Sequence, residues 1–178
     1  FIPCGGFKDT VNSSNIAQFV SNFKELKYIV EGANVFFDDA SRRYIAGNTP
    51  IKQVKDSTAN KGGVFSSSIA EVLTAFLLQD DYEESLLNET TTRWSLISDV
   101  MKRVSLYARL ETTILLKLHD RDNIPLFDLS EMSSEQIFSL QAQLEENLAT
   151  LIENENLVWM VLESYIPQVL VKRLGKER

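Results

Sequence analysis

Cysteine and histidine are almost missing from this chain: Cys4 and His119 stand alone among 178 residues. One thiol cannot close an internal disulfide, and one thiol with one imidazole supplies no metal framework, so neither a disulfide scaffold nor a Cys-based metal centre is expected. Basic charge is also short. Eighteen Lys and Arg face 25 Asp and Glu, a net charge of −7, and no long Lys/Arg cluster occurs; that balance argues against a phosphate backbone as partner. No run of consecutive apolar residues reaches the ~18 that would suggest a membrane span. The opening Phe1-Ile2-Pro3-Cys4 has no charged segment followed by a signal-like core. Neither nucleic acid nor a membrane is therefore an expected partner, and the expected compartment is the reducing cytoplasm, or the mitochondrion in a eukaryote. The first residue is Phe, inside an apolar run, which is expected of a truncated chain, a processed chain or one with missing upstream sequence.

What is present suits a packed domain. Hydrophobic residues make up 44% and charged ones 24%, a composition far from those that leave a chain disordered. The length fits one compact domain or a domain fragment with an appendage.

The chain changes character near residue 79, since all of its seven glycines but one lie before that point. In the first part Lys27-Tyr28-Ile29-Val30 and Ile51-Lys52-Gln53-Val54 read as short strands, each beside helical pattern, which points to βαβ units and a parallel sheet. Residues 15–26 and 38–46 read as the helices between them, the second ended by Gly47-Asn48 and stopped by Pro50. Gly62-Gly63 reads as a turn leading into a longer helix through Glu71, Leu73, Phe76 and Leu77.

Beyond Asp80-Asp81 the pattern is helical. Residues 90–118 hold neither Pro nor Gly, and Trp94, Ile97, Met101, Val104, Ala108, Leu115 and Leu118 follow in steps of three and four or their sum, as one long amphipathic helix requires. Glu111 interrupts that stripe, either as a buried ion-pair partner or at the stripe's edge, and carries no assigned function. Ser133 with Gln136 reads as a capping box opening a helix through Ile137, Leu140, Leu144, Leu148 and Leu151. The final helix, residues 157–174, is expected to kink or break before Pro167, whose nitrogen has no hydrogen to donate.

Two segments combine glycine, asparagine and serine where a parallel sheet meets its loops. Glu31-Gly32-Ala33-Asn34 follows the first strand at its carboxyl end, outside which ligands of open α/β sheets bind. Gly32 and Ala33 leave room for a ligand near the backbone, and Asn34 offers both a donor and an acceptor. An ordinary strand-to-helix turn would read the same way. In the second segment, residues 56–68, Gly62-Gly63 opens a helix and Ser66, Ser67 and Ser68 fill its first turn, where free N–H groups favour an anion such as a substrate carboxylate. Capping alone would also account for the serines, because Ser68 and Glu71 have capping-box spacing.

The ordered blocks Tyr28-Ile29-Val30-Glu31-Gly32-Ala33-Asn34-Val35-Phe36-Phe37, then residues 55–68, then Glu71-Val72-Leu73, are very similar to the large NAD-dependent glutamate dehydrogenases. Phe1-Ile2-Pro3-Cys4-Gly5-Gly6 resembles the block just upstream in that family, although Phe7-Lys8 stands where an Arg-Pro pair is more usual. The likeness is close over residues 1–80, and the helical remainder resembles the family in length and character only. It implies NAD as cofactor, L-glutamate and 2-oxoglutarate as substrate and product, and a homo-oligomeric full-length enzyme. Gly32, Ala33 and Asn34 then belong to the cofactor site, with Asn34 toward the nicotinamide ribose. Asn60 is implied to touch the substrate amino acid and Ser67 its side-chain carboxylate, with Ser66 and Ser68 as competitors, while Gly62, Gly63 and Val64 wall the reacting carbon.

The departures matter as much. No GxGxxG fingerprint occurs, so the pyrophosphate turn is expected upstream, and nothing here matches the family's catalytic lysine and aspartate. The chain by itself is expected to be inactive, with no catalytic residue of its own. The expected fold is α/β, the C-terminal part of a Rossmann-like dinucleotide-binding domain with parallel strands over residues 1–79, followed by a mostly helical region over residues 80–178. Two rivals stand beside this reading: a related dehydrogenase of an apolar amino acid, against which the hydroxyl of Ser67 argues, and a non-catalytic helical interaction module.

Overall fold

The computed structural model describes residues 1–174. Its elements follow the order α1 (Ile16–Asn22), β1 (Tyr28–Val30), α2 (Asp39–Asn48), β2 (Lys52–Val54), α3 (Asp56–Ala59) and α4 (Lys61–Ser66), then a π-helical segment Ser67–Leu73 and α5 (Thr74–Leu78). After two short turns come α6 (Thr90–Asp122), α7 (Leu126–Glu146), α8 (Leu148–Ile152), α9 (Glu155–Tyr165) and α10 (Gln168–Leu174). The fold is mostly helical with one two-stranded parallel sheet. Beyond residue 79 every described element is a helix.

Two compact units make up the chain: Phe1–Lys61 with Ala108–Phe138, and Gly62–Tyr107 with the described residues from Ser139 on. In the first, β1 and β2 pair in parallel with Tyr28 opposite Lys52, Ile29 opposite Gln53 and Val30 opposite Val54. Parallel pairing needs a crossover, which α2 supplies. The other edge of β1 is taken by Phe1, whose nitrogen donates to the Tyr28 carbonyl (2.9 Å) and whose carbonyl accepts Val30 N–H (3.0 Å). Ile29, Phe36, Phe37 and Ile45 form the buried centre with Val11, Ile16 and Ile51, each such side chain contributing about 1.5–3 kcal/mol on burial. Val54 joins Leu115, Leu126 and Leu129 in a neighbouring cluster.

Helix boundaries depart from the sequence reading where side chains compete for the backbone. The first helix stops at Asn22 instead of reaching 26: Phe23 leaves the helical region at φ −115° and ψ 52°, and Leu26 N–H closes a turn on the Phe23 carbonyl at 3.0 Å. Asp38 is the N-cap of α2 rather than its first residue, accepting from Ser41 N–H at 2.7 Å. Gly47 and Asn48 lie inside that helix, and Thr49 closes it through the Ile45 carbonyl.

The larger correction concerns Gly62-Gly63. They do not form a turn: both sit within α4, and the helical stretch runs on from Asp56 to Asp81. The serines are consequently well inside a helix, not at its amino end. By length and composition that stretch could cross a bilayer, a feature that no run of consecutive apolar residues indicated.

In the second unit, Ile69, Leu78, Leu86, Leu96, Val100 and Leu170 make the core. Thr74 lies beyond the π-helical turn, and its buried hydroxyl donates to the Ile69 carbonyl at 2.7 Å. The buried stripe of α6 here is Leu96 and Val100, with Val104 packed against it; the expected Trp94, Ile97 and Met101 are exposed. Ser133 and Gln136 do not open a helix, since α7 begins at Leu126, and Ile137, Leu140, Leu144 and Leu148 are exposed. The break at Pro167 is present: α9 ends at Tyr165 and α10 starts at Gln168. Arg103 caps this break, donating to the carbonyls of Ser164 and Tyr165 (2.7 Å each) and Ile166 (2.9 Å).

Candidate functional site

The loop after β1 and the short helix after β2 meet at two asparagines. Asn60 Nδ2 donates to Asn34 Oδ1, so the pair leaves Asn34 Nδ2 as an outward donor and Asn60 Oδ1 as an outward acceptor. Both follow the carboxyl ends of the two parallel strands. Gly32 is required there by close approach: a Cβ would stand 3.0 Å from the Pro3 carbonyl oxygen and 3.6 Å from Cys4 Sγ.

Beneath the asparagines lies a buried polar cluster that the sequence did not single out. Glu31, fully buried, receives Arg42 Nε at 3.0 Å and Nη2 at 2.7 Å in a two-pronged ion pair, and Gln53 Nε2 at 2.8 Å. A carboxylate only accepts, which fixes the Gln53 amide with its nitrogen toward Glu31. Arg42 also pairs with Asp39 at 2.8 Å and faces Asp56 at 4.0 Å. Burial opposes its charge, but the bonds to Glu31 and Asp39 and the nearby Asp56 outweigh that and raise the guanidinium pKa. Glu31 and Asp56 stand in the quoted blocks, whereas Arg42 lies one turn into α2 and Gln53 within β2. A signal did exist: a carboxylate directly ending an apolar strand calls for a partner.

Asp56 reaches across to the first loop, its Oδ2 accepting Val35 N–H and its Oδ1 accepting Ser57 N–H, both at 2.7 Å. Val35 has φ 48°, the left-handed region that a β-branched residue rarely enters. On the long helix, Glu111 Oε1 accepts from Lys61 Nζ at 2.6 Å and Thr58 Oγ1 at 3.2 Å. Glu111 is thus an ion-pair partner, half-buried rather than buried.

Gly62, Gly63, Val64 and Ser67 belong to the second unit. A Cβ on Gly62 would approach Val104 Cγ1 to 3.1 Å, while Gly63 faces open space and Val64 is exposed. The serine hydroxyls bond within their own helical stretch: Ser66 to the Gly63 carbonyl (2.9 Å), Ser67 to Glu71 Oε2 (3.0 Å) and Ser68 to the Phe65 carbonyl (3.0 Å). The capping-box pairing of Ser68 with Glu71 is replaced by Ser67 with Glu71, a contact four residues apart on one helix face. No free N–H groups surround these serines, because the helix begins more than two turns earlier.

A cavity of about 250 Å³ opens within the first unit between Arg42, Ile45, Thr49, Gln53, His119 and Phe127. None of the residues singled out for cofactor or substrate lines it. Among the described residues no group of His, Cys, Asp and Glu could hold a metal ion.

Comparison with known proteins bears on these residues. The chain is 31% identical over 183 residues to the NAD-specific glutamate dehydrogenase of Neurospora crassa, covering 98% of this chain and 17% of that protein. It is 32% identical over 187 residues to glutamate dehydrogenase 2 of Dictyostelium discoideum, covering all of this chain and 17% of that protein. The probable NAD-specific glutamate dehydrogenase of Schizosaccharomyces pombe is 29% identical over 185 residues, again over the whole chain and 16% of its own length. The similarity extends through the helical region, beyond the residue 80 at which the close likeness of motifs ends. The chain spans about a sixth of the length of these relatives, and no solved structure matches it. A family profile described as glutamate/leucine/phenylalanine/valine dehydrogenase matches residues 1–114, well over half the chain, and the chain therefore belongs to that dehydrogenase family.

Proposed function

We propose that this chain is a segment of an NAD-dependent glutamate dehydrogenase, whose full-length form interconverts L-glutamate with 2-oxoglutarate and ammonia. Residues 1–79 are then the C-terminal part of a Rossmann-like dinucleotide-binding domain and residues 80–178 its helical extension. The observation that carries this reading is the Asn34–Asn60 pair at the carboxyl ends of two parallel strands, where an open α/β sheet binds its ligands. Curated relatives named as NAD-specific glutamate dehydrogenases support the choice of cofactor and substrate.

The residues present fit their share of the cofactor. Asn34 keeps a donor free for a ribose hydroxyl or a carboxamide, whereas the missing Cβ of Gly32 is accounted for by the Pro3 carbonyl and Cys4 Sγ packed against it. NAD, when bound, supplies the hydride acceptor; the protein's work is binding and orientation. Asn34 would hold the nicotinamide side and Asn60 the substrate amino acid. Each asparagine fixes the other's amide, so neither has to be ordered when ligand arrives. Gly62, Gly63 and Val64 would wall the reacting carbon. Ser67 would donate to the glutamate side-chain carboxylate, which would take the place of Glu71 as acceptor of the same hydroxyl. The proton-transfer groups belong to parts of the enzyme outside this chain.

Ser67→Ala in the full-length enzyme tests the reading. A hydrogen bond to a charged group contributes roughly 1.5–3 kcal/mol, so kcat/KM for glutamate should fall by about ten- to over a hundredfold while NAD affinity stays constant. Ser66→Ala and Ser68→Ala, whose hydroxyls bond to the Gly63 and Phe65 carbonyls, serve as controls. Equal losses at all three serines would overturn the assignment of Ser67. An apolar amino acid oxidised faster than glutamate would overturn the substrate.

A further inference from the structure

The reading above assigns roles to Asn34 and Asn60 but leaves open what holds them in register. The two belong to separate connections, one after β1 and one after β2, and an amide pair on flexible loops would be aligned only part of the time. One residue touches both connections. The backbone carbonyl of Asp56 accepts Asn60 N–H at 3.0 Å, and its side-chain Oδ2 accepts Val35 N–H, the amide next after Asn34, at 2.7 Å.

The second contact meets a backbone that needs it. Val35 sits at φ 48°, where the crowding of Cβ against the following carbonyl disfavours all residues but glycine, and β-branched ones most. Such a conformation persists only where its surroundings over-determine it. Here Asp9 N–H donates to the Val35 carbonyl at 2.8 Å on one side, and Asp56 takes the amide on the other. The Asp56 carboxylate is itself buried and held: Oδ1 receives Ser57 N–H, and Arg42, locked by Glu31, faces Oδ2. Gln53 braces Glu31 from β2. A chain of contacts thus runs from the sheet through Glu31, Arg42 and Asp56 to the strained turn beside Asn34.

We propose that Asp56 is a positioning residue of this site: its carboxylate fixes the left-handed Val35 turn that aims Asn34, while its carbonyl carries Asn60. The proposal rests on the reading that these asparagines bind cofactor and substrate, and it assigns Asp56 no contact with either ligand.

The test is a double-mutant cycle in the full-length enzyme, read by fluorescence titration of NAD, by kcat/KM for glutamate and by melting temperature. Asp56→Ala should weaken NAD binding by about tenfold, since the turn loses its hold. In a Val35→Gly background the same change should cost less than about threefold, because glycine adopts the turn unaided. Asp56→Asn, which keeps an acceptor for Val35 N–H, should stay within about threefold. Should Asp56→Ala not fold, Asp56→Glu takes its place: it keeps the charge facing Arg42 but displaces the carboxylate, and is expected to weaken NAD binding several-fold, again recovered by Val35→Gly. A loss of the same size in the valine and glycine backgrounds, or no loss of NAD affinity at all, would overturn the proposal. Asn34→Ala separates the two levels: if it costs NAD affinity and Asp56 variants do not, the positioning role alone fails. If Asn34→Ala itself costs nothing, the reading of the site fails and the proposal with it.

Discussion

Replacing Arg42 by Met should be among the most damaging single changes in the first unit. Glu31 is fully buried and its carboxylate would lose two bonds, of 3.0 and 2.7 Å, together with its guanidinium partner, keeping Gln53 Nε2 at 2.8 Å. Each bond to a charged group contributes about 1.5–3 kcal/mol, and removal of one partner from a buried pair costs about 3–5 kcal/mol because the other charge is stranded. The exposed Asp39 arm adds little to that. Measured against a total stability of about 5–15 kcal/mol, the loss is large. Urea denaturation followed by far-ultraviolet circular dichroism should show a lower midpoint with an unchanged slope. Glu31→Gln combined with Arg42→Met should be less harmful than Arg42→Met alone, since the Glu31 charge is then no longer stranded, and Asp56, which faces Arg42 at 4.0 Å, keeps the Val35 and Ser57 amides as donors. Arg42→Lys should fall between, keeping the charge but not the fork that matches a carboxylate. An Arg42→Met protein within about 1 kcal/mol of wild type, or a double variant as unstable as the sum of the singles, would refute the assignment of a desolvated ion pair.

Asp38→Ala should cost about 1 kcal/mol through loss of the α2 cap, and the cost should depend on pH. Burial pushes the Asp38 carboxyl up, but the bonds from Ser41 and Ser13 and the Arg42 charge outweigh it and hold the pKa below the usual value of 3.8. The stabilisation is therefore present above that value and lost as pH falls through the lower folded one; a wild-type-to-variant gap that widened in acid would contradict the sign. Gly32→Ala should lower the melting temperature, because its Cβ would press on the Pro3 carbonyl at 3.0 Å, whereas Gly5→Ala, with nothing within 4 Å, should leave it unchanged or higher. Scanning fluorimetry of the two side by side decides this. Arg103→Ala should destabilise the second unit by roughly 1–2 kcal/mol, since three carbonyls at the α9–α10 break lose their donor; chemical denaturation equal to wild type would show that water replaces it.

The sequence by itself determined the parallel strands, the crossover between them, the helical character beyond residue 79 and the break at Pro167, because each follows from a local rule. Tyr28-Ile29-Val30 prefers extended backbone, and a proline nitrogen cannot donate. It also picked out Asn34, through its place after a strand, and Asn60, through likeness to a family. Only the tertiary structure decided that the two asparagines bond to each other, that Glu31 and Asp56 are held by Arg42, and that Val35 occupies a left-handed turn. Those are contacts between segments 10 to 30 residues apart, to which local pattern is blind. Gly62-Gly63 shows the same limit from the other side. Two glycines favour a turn in isolation, yet Gly62 is held in a helix against Val104, where a Cβ would crowd at 3.1 Å, and so the serines lost the free amide groups that a helix start would have given them.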